Sequence, residues 1–242
     1  MSNNLKILIE DEYFIAINKQ AGELVVADRW GKEKNILLHR VGDYLREQGH
    51  QKDESGRDLY PVHRLDRDTS GIVLFAKHQE AHQKFSKLFE TRQMEKTYWA
   101  FAIGDPQWDY CISNISLSRA EGKKGRGRAL IDLTKGKAAE TEFQVLGRYG
   151  DIMWVEAKPK TGRLHQIRVH LKALGHPLLY DEDYGLYGWK SACFPSISLT
   201  RMPLHARFLK FRHPFTEKEI EITCPMDEEL RYLFNTLKQS EK

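Results

Sequence analysis

The stretch from residue 97 to residue 157 constrains the fold most. Five short strand-like runs succeed one another there: Thr97–Ile103, Ile112–Leu117, Leu130–Leu133, Ala138–Gly147 and Ile152–Ala157. Glycine-containing turns separate them and no helical pattern intervenes, which predicts antiparallel neighbours. Upstream, Leu5–Asn18 alternates around a turn at Asp11-Glu12, and Gly71–Lys77 is an apolar run of the kind that forms a buried strand. Helical spacing is confined to Asn35–Gln48, Gln79–Arg92, Arg163–Leu174 and Asp227–Lys238. His205–Phe211 and Glu219–Thr223 predict a hairpin about His213-Pro214. Strands outnumber helices and mostly follow one another directly. This predicts an α+β fold with a mixed, mainly antiparallel central β-sheet flanked by helices and loops.

With 242 residues, no repeat and no long linker, the chain is expected to form a single domain over 1–242. No apolar run approaches the roughly 18–20 residues that span a bilayer. The N-terminus is polar and then alternating, unlike a secretory signal. A cytoplasmic, membrane-free protein is the expectation. Cys111, Cys193 and Cys224 lie far apart, with no C-x-x-C pair, so reduced structural thiols are expected. His165 and His170, five residues apart, would point roughly 140° from each other on a helix, so they do not make a shared metal site. Nucleotide-cradling glycine motifs are absent from the sequence. No metal and no cofactor are expected.

Net charge is only +4, but the basic residues are unevenly placed. Ser118–Arg128 carries Arg119, Lys123, Lys124, Arg126 and Arg128 against the single acid Glu121, with three glycines. The window is expected to be a mobile basic loop, suited to the phosphates of an anionic polymer.

Two clusters carry candidate chemistry. The first is His63-Arg64-Leu65-Asp66-Arg67-Asp68-Thr69-Ser70-Gly71. The carboxylate of Asp66 lies between the guanidiniums of Arg64 and Arg67, which favour its ionised form and attract an anionic substrate. Asp68-Thr69-Ser70-Gly71 can fix the turn through its own backbone. The second is Lys160-Thr161-Gly162-Arg163-Leu164-His165-Gln166-Ile167-Arg168-Val169-His170. Read as a helix starting at Thr161-Gly162, it places His165 and Arg168 on one face. Leu164, Ile167 and Leu171 would pack inward. Arg168 is then the expected partner of a buried carboxylate, with Asp66 the candidate. Tyr98, in Lys96-Thr97-Tyr98, offers a ring to stack on an extruded base and a phenol for proton transfer.

Together these stretches resemble the RluA-type family of RNA pseudouridine synthases. Asp11–Gly22 resembles the family's first motif, with Gln20 in place of the usual proline and hence a turn expected to be less rigid. His63–Gly71 is similar to the second, in which Asp66 takes the catalytic place. Lys96-Thr97-Tyr98 matches the short tyrosine motif. Gly162–Leu171 matches the third motif, followed by Gly175-His176-Pro177 and Asp183-Tyr184-Gly185. Leu164 stands where a small polar residue is common, and Tyr180-Asp181 replaces a Gly-Asp.

The resemblance implies the pseudouridine synthase catalytic fold; separately, no N-terminal RNA-binding module is expected beside it. It also implies cofactor-free isomerisation of uridines in ribosomal or transfer RNA after base flipping. Asp66, Tyr98 and Arg168 are its implied catalytic residues. Asp66 would attack C6, attack C1′ or remove the C2′ proton. Arg64, Arg67, Arg163, His165, Lys123, Lys124, Arg126 and Arg128 are the expected RNA contacts. Substrate choice would come from the insertions Gln107–Leu133 and Gly49–Asp58, and the protein is expected to act as a monomer with no protein partner. Two other readings exist: a non-catalytic RNA-binding module on the same scaffold, and a hydrolase using Asp66. A glycosidase would need a second, comparably placed carboxylate, which the sequence does not offer.

Overall fold

A computed structural model describes residues 5–27, 36–52, 54, 56–57, 59–121 and 127–239. The elements run in chain order from β1 (Ile7–Glu10), β2 (Phe14–Lys19) and α1 (Leu37–Glu47) to β3 (Tyr60–Pro61), β4 (Ser70–Ala76) and α2 (Gln79–Glu90). Next come β5 (Glu95–Ile103), β6 (Tyr110–Ser113), β7 (Leu117–Glu121), β8 (Gly127–Ile131), β9 (Thr141–Tyr149) and β10 (Ile152–Pro159). The chain closes with α3 (Gln166–Ala173), β11 (Leu204–Arg212), β12 (Glu219–Thr223) and α4 (Glu228–Gln239). They fall into two compact units, one of Met1–Glu95 with Ala206–Pro225 and one of Lys96–His205 with Met226–Lys242.

In the first unit the strand order is β1-β2-β4-β11, with β3 on β4 and β12 on β11. β2 and β4 pair antiparallel from Phe14↔Ala76 to Lys19↔Gly71. Every residue of both strands is buried, which explains why they read as continuous apolar runs. Alternate residues serve opposite faces. Phe14, Ala16, Ile72 and Leu74 meet Ala81 and Phe85 of α2. Ile15, Ile17, Val73 and Phe75 meet Leu37, Val41 and Leu45 of α1. Each large apolar side chain withdrawn from water this way contributes about 1.5–3 kcal/mol.

The second unit repeats the plan. Its sheet runs β5-β10-β9-β6, with β10 antiparallel to both β5 and β9. Ala100, Ala102, Met153 and Val155 face Ile167 and Leu171 of α3. Phe101, Ile103 and Ile152 face Leu230, Leu233 and Leu237 of α4. The α+β expectation holds in both units. All strand pairs with a described register are antiparallel, and a lone parallel bridge joins Leu24 and Ile36.

Three local expectations need correction. The run Ile112–Leu117 is not one strand: β6 ends at Ser113 and β7 begins at Leu117. The basic window is not simply a loop, because Ser118–Glu121 and Gly127–Arg128 belong to the two-stranded β7–β8 hairpin, paired from Leu117↔Ile131 to Glu121↔Gly127. Helix α3 starts at Gln166, four residues after Gly162. His165 precedes it with φ of +51°, and it is Gln166 that closes the turn.

Candidate active site

In the first unit the second motif is fastened at alternate residues, as an extended segment requires. His63 Nε2 accepts a hydrogen bond from the Leu74 amide at 3.1 Å, and its ring lies against Phe89. Leu65 packs on the α1 side of the core. Arg64 between them is exposed, and Asp66 is half-buried. The chain then turns, with the Thr69 amide donating to the Asp66 carbonyl at 3.2 Å.

Lys19, at the end of β2, holds this turn. It is fully buried. Its ammonium donates to the carbonyls of Gln20 (2.9 Å), Arg67 (2.7 Å) and Thr69 (2.8 Å), so its three protons meet three acceptors. Arg67 and Gly22 bond reciprocally: the Gly22 amide donates to the Arg67 carbonyl at 2.9 Å, and Arg67 Nε to the Gly22 carbonyl at 3.1 Å. The first motif therefore clamps the second. Gln20 does not loosen it through the missing proline ring alone, because its amide donates to Glu23 Oε2 at 3.0 Å, a bond proline cannot make. Gly71 follows at φ of +111°, where a Cβ would lie 2.3 Å from the Ala206 carbonyl oxygen. Only glycine fits there.

In the second unit, Tyr98 lies on the face of β5 that carries Ala100 and packs at the margin of the core built with Ile167 and Leu171 of α3. Lys96 shares that face by strand alternation. Its Nζ is 3.5 Å from the Thr161 carbonyl, and burial lowers its pKa to about 8.

Helix α3 buries six consecutive residues, Gln166 to Leu171, three of them polar or charged. Each polar group is matched. Gln166 donates from Nε2 to the Glu140 carbonyl and to Thr141 Oγ1, both at 2.9 Å. Its Oε1 accepts from Thr161 Oγ1 (2.7 Å) and the Arg163 amide (2.9 Å). The amide's four positions are thus filled. Thr141 Oγ1 in turn donates to His170 Nδ1 at 3.0 Å, and His170 Nε2 donates to the Ile115 carbonyl at 3.0 Å. Burial lowers the His170 pKa, consistent with a neutral ring.

Arg168 is the third such group. Nε donates to Asp181 Oδ2 at 2.8 Å, and Nη2 donates to Asp181 Oδ1 at 2.7 Å and to Asp183 Oδ2 at 2.9 Å. Asp181 Oδ1 also accepts from the amides of Asp183 and Tyr184. Burial raises the Asp181 pKa, but the bonds and charge of Arg168 together with these amides outweigh it, and the net shift is downward. Sequence reasoning noted Asp181 only as a departure within a Gly-Asp pair. Tyr180 before it has φ of +52°, the conformation that explains a glycine preference there. Here the Tyr180 hydroxyl donates to the Ile197 carbonyl at 2.7 Å.

Around Arg168 the structure gathers His165 and Arg128. His165 Nδ1 lies 2.9 Å from the Tyr184 hydroxyl. Arg128 lies over the Tyr184 ring and donates to the Asp183 carbonyl. Arg163 stands apart, with its Nε donating to the Ala138 carbonyl at 3.1 Å. Lys123, Lys124 and Arg126 lie outside the described residues.

The family profile for RNA pseudouridylate synthase matches residues 13–173. The ribosomal large subunit pseudouridine synthase C of Vibrio cholerae serotype O1 is 32% identical over 235 residues, covering 97% of this chain and 70% of that protein. Its namesake from Escherichia coli O6:H1 is 34% identical over 236 residues, covering 97% and 70%. The structure of Human RNA Pseudouridylate Synthase Domain Containing 4 matches with a TM-score of 0.74 and 25% identity, over 96% of this chain and 93% of that one. Human RNA Pseudouridylate Synthase Domain Containing 1 matches with a TM-score of 0.69 and 27% identity, over 98% and 95%.

Proposed function

The chain belongs to the RNA pseudouridylate synthase family and is an RNA pseudouridine synthase, an isomerase; from that premise we propose that its substrate is large-subunit ribosomal RNA and that Asp66 carries the chemistry. The observation behind the substrate is that both bacterial relatives compared above bear a ribosomal large-subunit name while aligning with 97% of this chain.

The reaction breaks the N1–C1′ bond of a uridine, turns the base and joins C5 to C1′; the proton on C5 passes to solvent and the freed N1 takes one up. Nothing is oxidised or reduced. The target uridine leaves its stack at a cost of a few kcal/mol. The Asp66 carboxylate acts on the sugar or on the base, and the Lys19-clamped turn fixes its backbone for that purpose. Tyr98 stacks on the flipped base and relays a proton. Arg168, held rigid by Asp181, supplies fixed positive charge. Arg64, Arg67, Arg163, His165, Arg128 and the lysines of the basic window bind phosphates, which position the RNA without reading its sequence.

The test is a pseudouridine map of ribosomal and transfer RNA from cells with and without the gene. Loss of a site in large-subunit ribosomal RNA alone is expected. Loss confined to transfer RNA would overturn the proposed substrate.

A further inference from the structure

The Tyr184 side chain is almost wholly buried, yet its hydroxyl is shared between two elements. The amide of Ala129, in β8, donates to it at 2.8 Å, and the Ala129 carbonyl lies 3.3 Å away. On the other side is His165 Nδ1 at 2.9 Å, at the foot of α3. The hydroxyl thus occupies the place beside the Ala129 backbone that a residue of a third strand would take. The ring packs with Leu117 of β7, Ala129 of β8 and Val169 of α3. Three cations surround it: Arg168 at 4.9 Å, Arg128 at 5.0 Å and Lys172 at 5.9 Å from the ring centre. Asp183 adds a second tie, since its carbonyl accepts from Arg128 and its carboxylate from Arg168.

A phenol has one proton and two acceptor positions. The Ala129 amide uses one acceptor position. The proton has two possible targets, and the His165 nitrogen is nearer than the Ala129 carbonyl. A phenol donating to Nδ1 requires His165 to carry its own proton on Nε2.

We propose that Tyr184 is a positioning residue for RNA isomerisation: it couples the basic β7–β8 hairpin to His165 and Arg168, and it fixes the Nε2–H tautomer of His165. Tyr184 touches no reacting atom. RNA drawn onto Arg128 bears on the same ring and the same Asp183 that hold Arg168, so seating of the hairpin and alignment of the arginine are one event. The inference rests on the isomerase reading above and adds a residue that acts through others.

The experiment uses the full chain and Tyr184→Phe, which keeps the ring and removes the hydroxyl. Tritium release is followed from a 5-[³H]uridine-labelled transcript of 23S ribosomal RNA, with dissociation constants measured on the unlabelled transcript. At saturating RNA, kcat should fall about ten-fold, the order expected for one lost buried hydrogen bond. The dissociation constant should stay within two-fold. Arg128→Ala should lower kcat in the parent, but less than two-fold further in Tyr184→Phe. In the parent protein alone, long-range ¹H–¹⁵N spectra should show Nδ1 of His165 unprotonated. The inference is overturned by unchanged kcat in Tyr184→Phe, by losses that simply multiply in the double variant, or by a proton on Nδ1. If the parent releases no tritium, the ribosomal substrate is wrong, and the spectrum still decides the tautomer.

Discussion

Arg168 and Asp181 meet as a fork against a fork, two parallel hydrogen bonds of 2.8 and 2.7 Å with the carboxylate wholly shielded from solvent. An arginine so buried depends on that partner. Asp181→Asn leaves a guanidinium facing a neutral amide where it had a buried carboxylate, while Asp183 still accepts from Nη2. The expected loss is about 3 kcal/mol, read from urea denaturation, with tritium release falling at least about ten-fold at saturating RNA because the arginine is no longer held. The pH dependence has a fixed sign. A carboxyl whose folded pKa lies below its unfolded value contributes stability at neutral pH and surrenders it as pH falls through the folded pKa. The parent should therefore lose this contribution only below about pH 4, and Asp181→Asn should show a flatter acid limb.

Asp66→Asn should melt within about 1 kcal/mol of the parent, because a half-buried turn residue contributes little packing. Its tritium release should be undetectable. Normal release by this variant would remove Asp66 from the chemistry.

Lys19→Met keeps the length of the side chain and discards its three donors. The carbonyls of Gln20, Arg67 and Thr69 lose a buried partner at once, while the cost of burying an ammonium is relieved. The balance is a loss of about 2–4 kcal/mol. Denaturation midpoints measure it, and activity should fall more steeply than stability because the turn after Asp66 is freed.

Gly71→Ala puts a methyl 2.3 Å from a backbone oxygen at a left-handed φ. Neither strand can yield without breaking the β4 ladder. A destabilisation of at least about 3 kcal/mol is expected, visible as a lowered melting temperature.

Lys96 tests the opposite sign. Its pKa of about 8 lies below the value of an unfolded lysine, so the unfolded chain binds more protons between about pH 8 and 10.4 and stability rises with pH across that window. Lys96→Met should abolish that rise, on the order of 1–3 kcal/mol between pH 7 and 10.5. Urea midpoints at the two pH values decide it.

Much of this was legible in the sequence because hydrophobic runs report burial directly. The stretch from Gly71 to Lys77 announces a strand covered on both faces, and β4 is one. The third motif was harder. Thr161 and Gly162 look like a helix start, but the side chain of Gln166 folds back onto the Arg163 amide and delays the helix. The β7–β8 ladder was hidden because it is made by backbone groups, while the side chains there spell charge and glycine. Asp181 left no usable mark: in the polar run Asp181-Glu182-Asp183, nothing distinguishes the acid that will be buried. The left-handed backbone of Tyr180 was the trace, visible only as a misplaced glycine.

Among the described residues, the β7–β8 hairpin shares no ladder with the larger sheet; it is joined to its surroundings by the Leu117–Lys137 bridge, the Tyr184 clasp, the Arg128–Asp183 bond and packing against Val169 of α3. Such a ribbon can grow, shrink or change its charge without shifting the register of any other strand. If the hairpin binds RNA as proposed, selection can retune that grip while the chassis stays untouched.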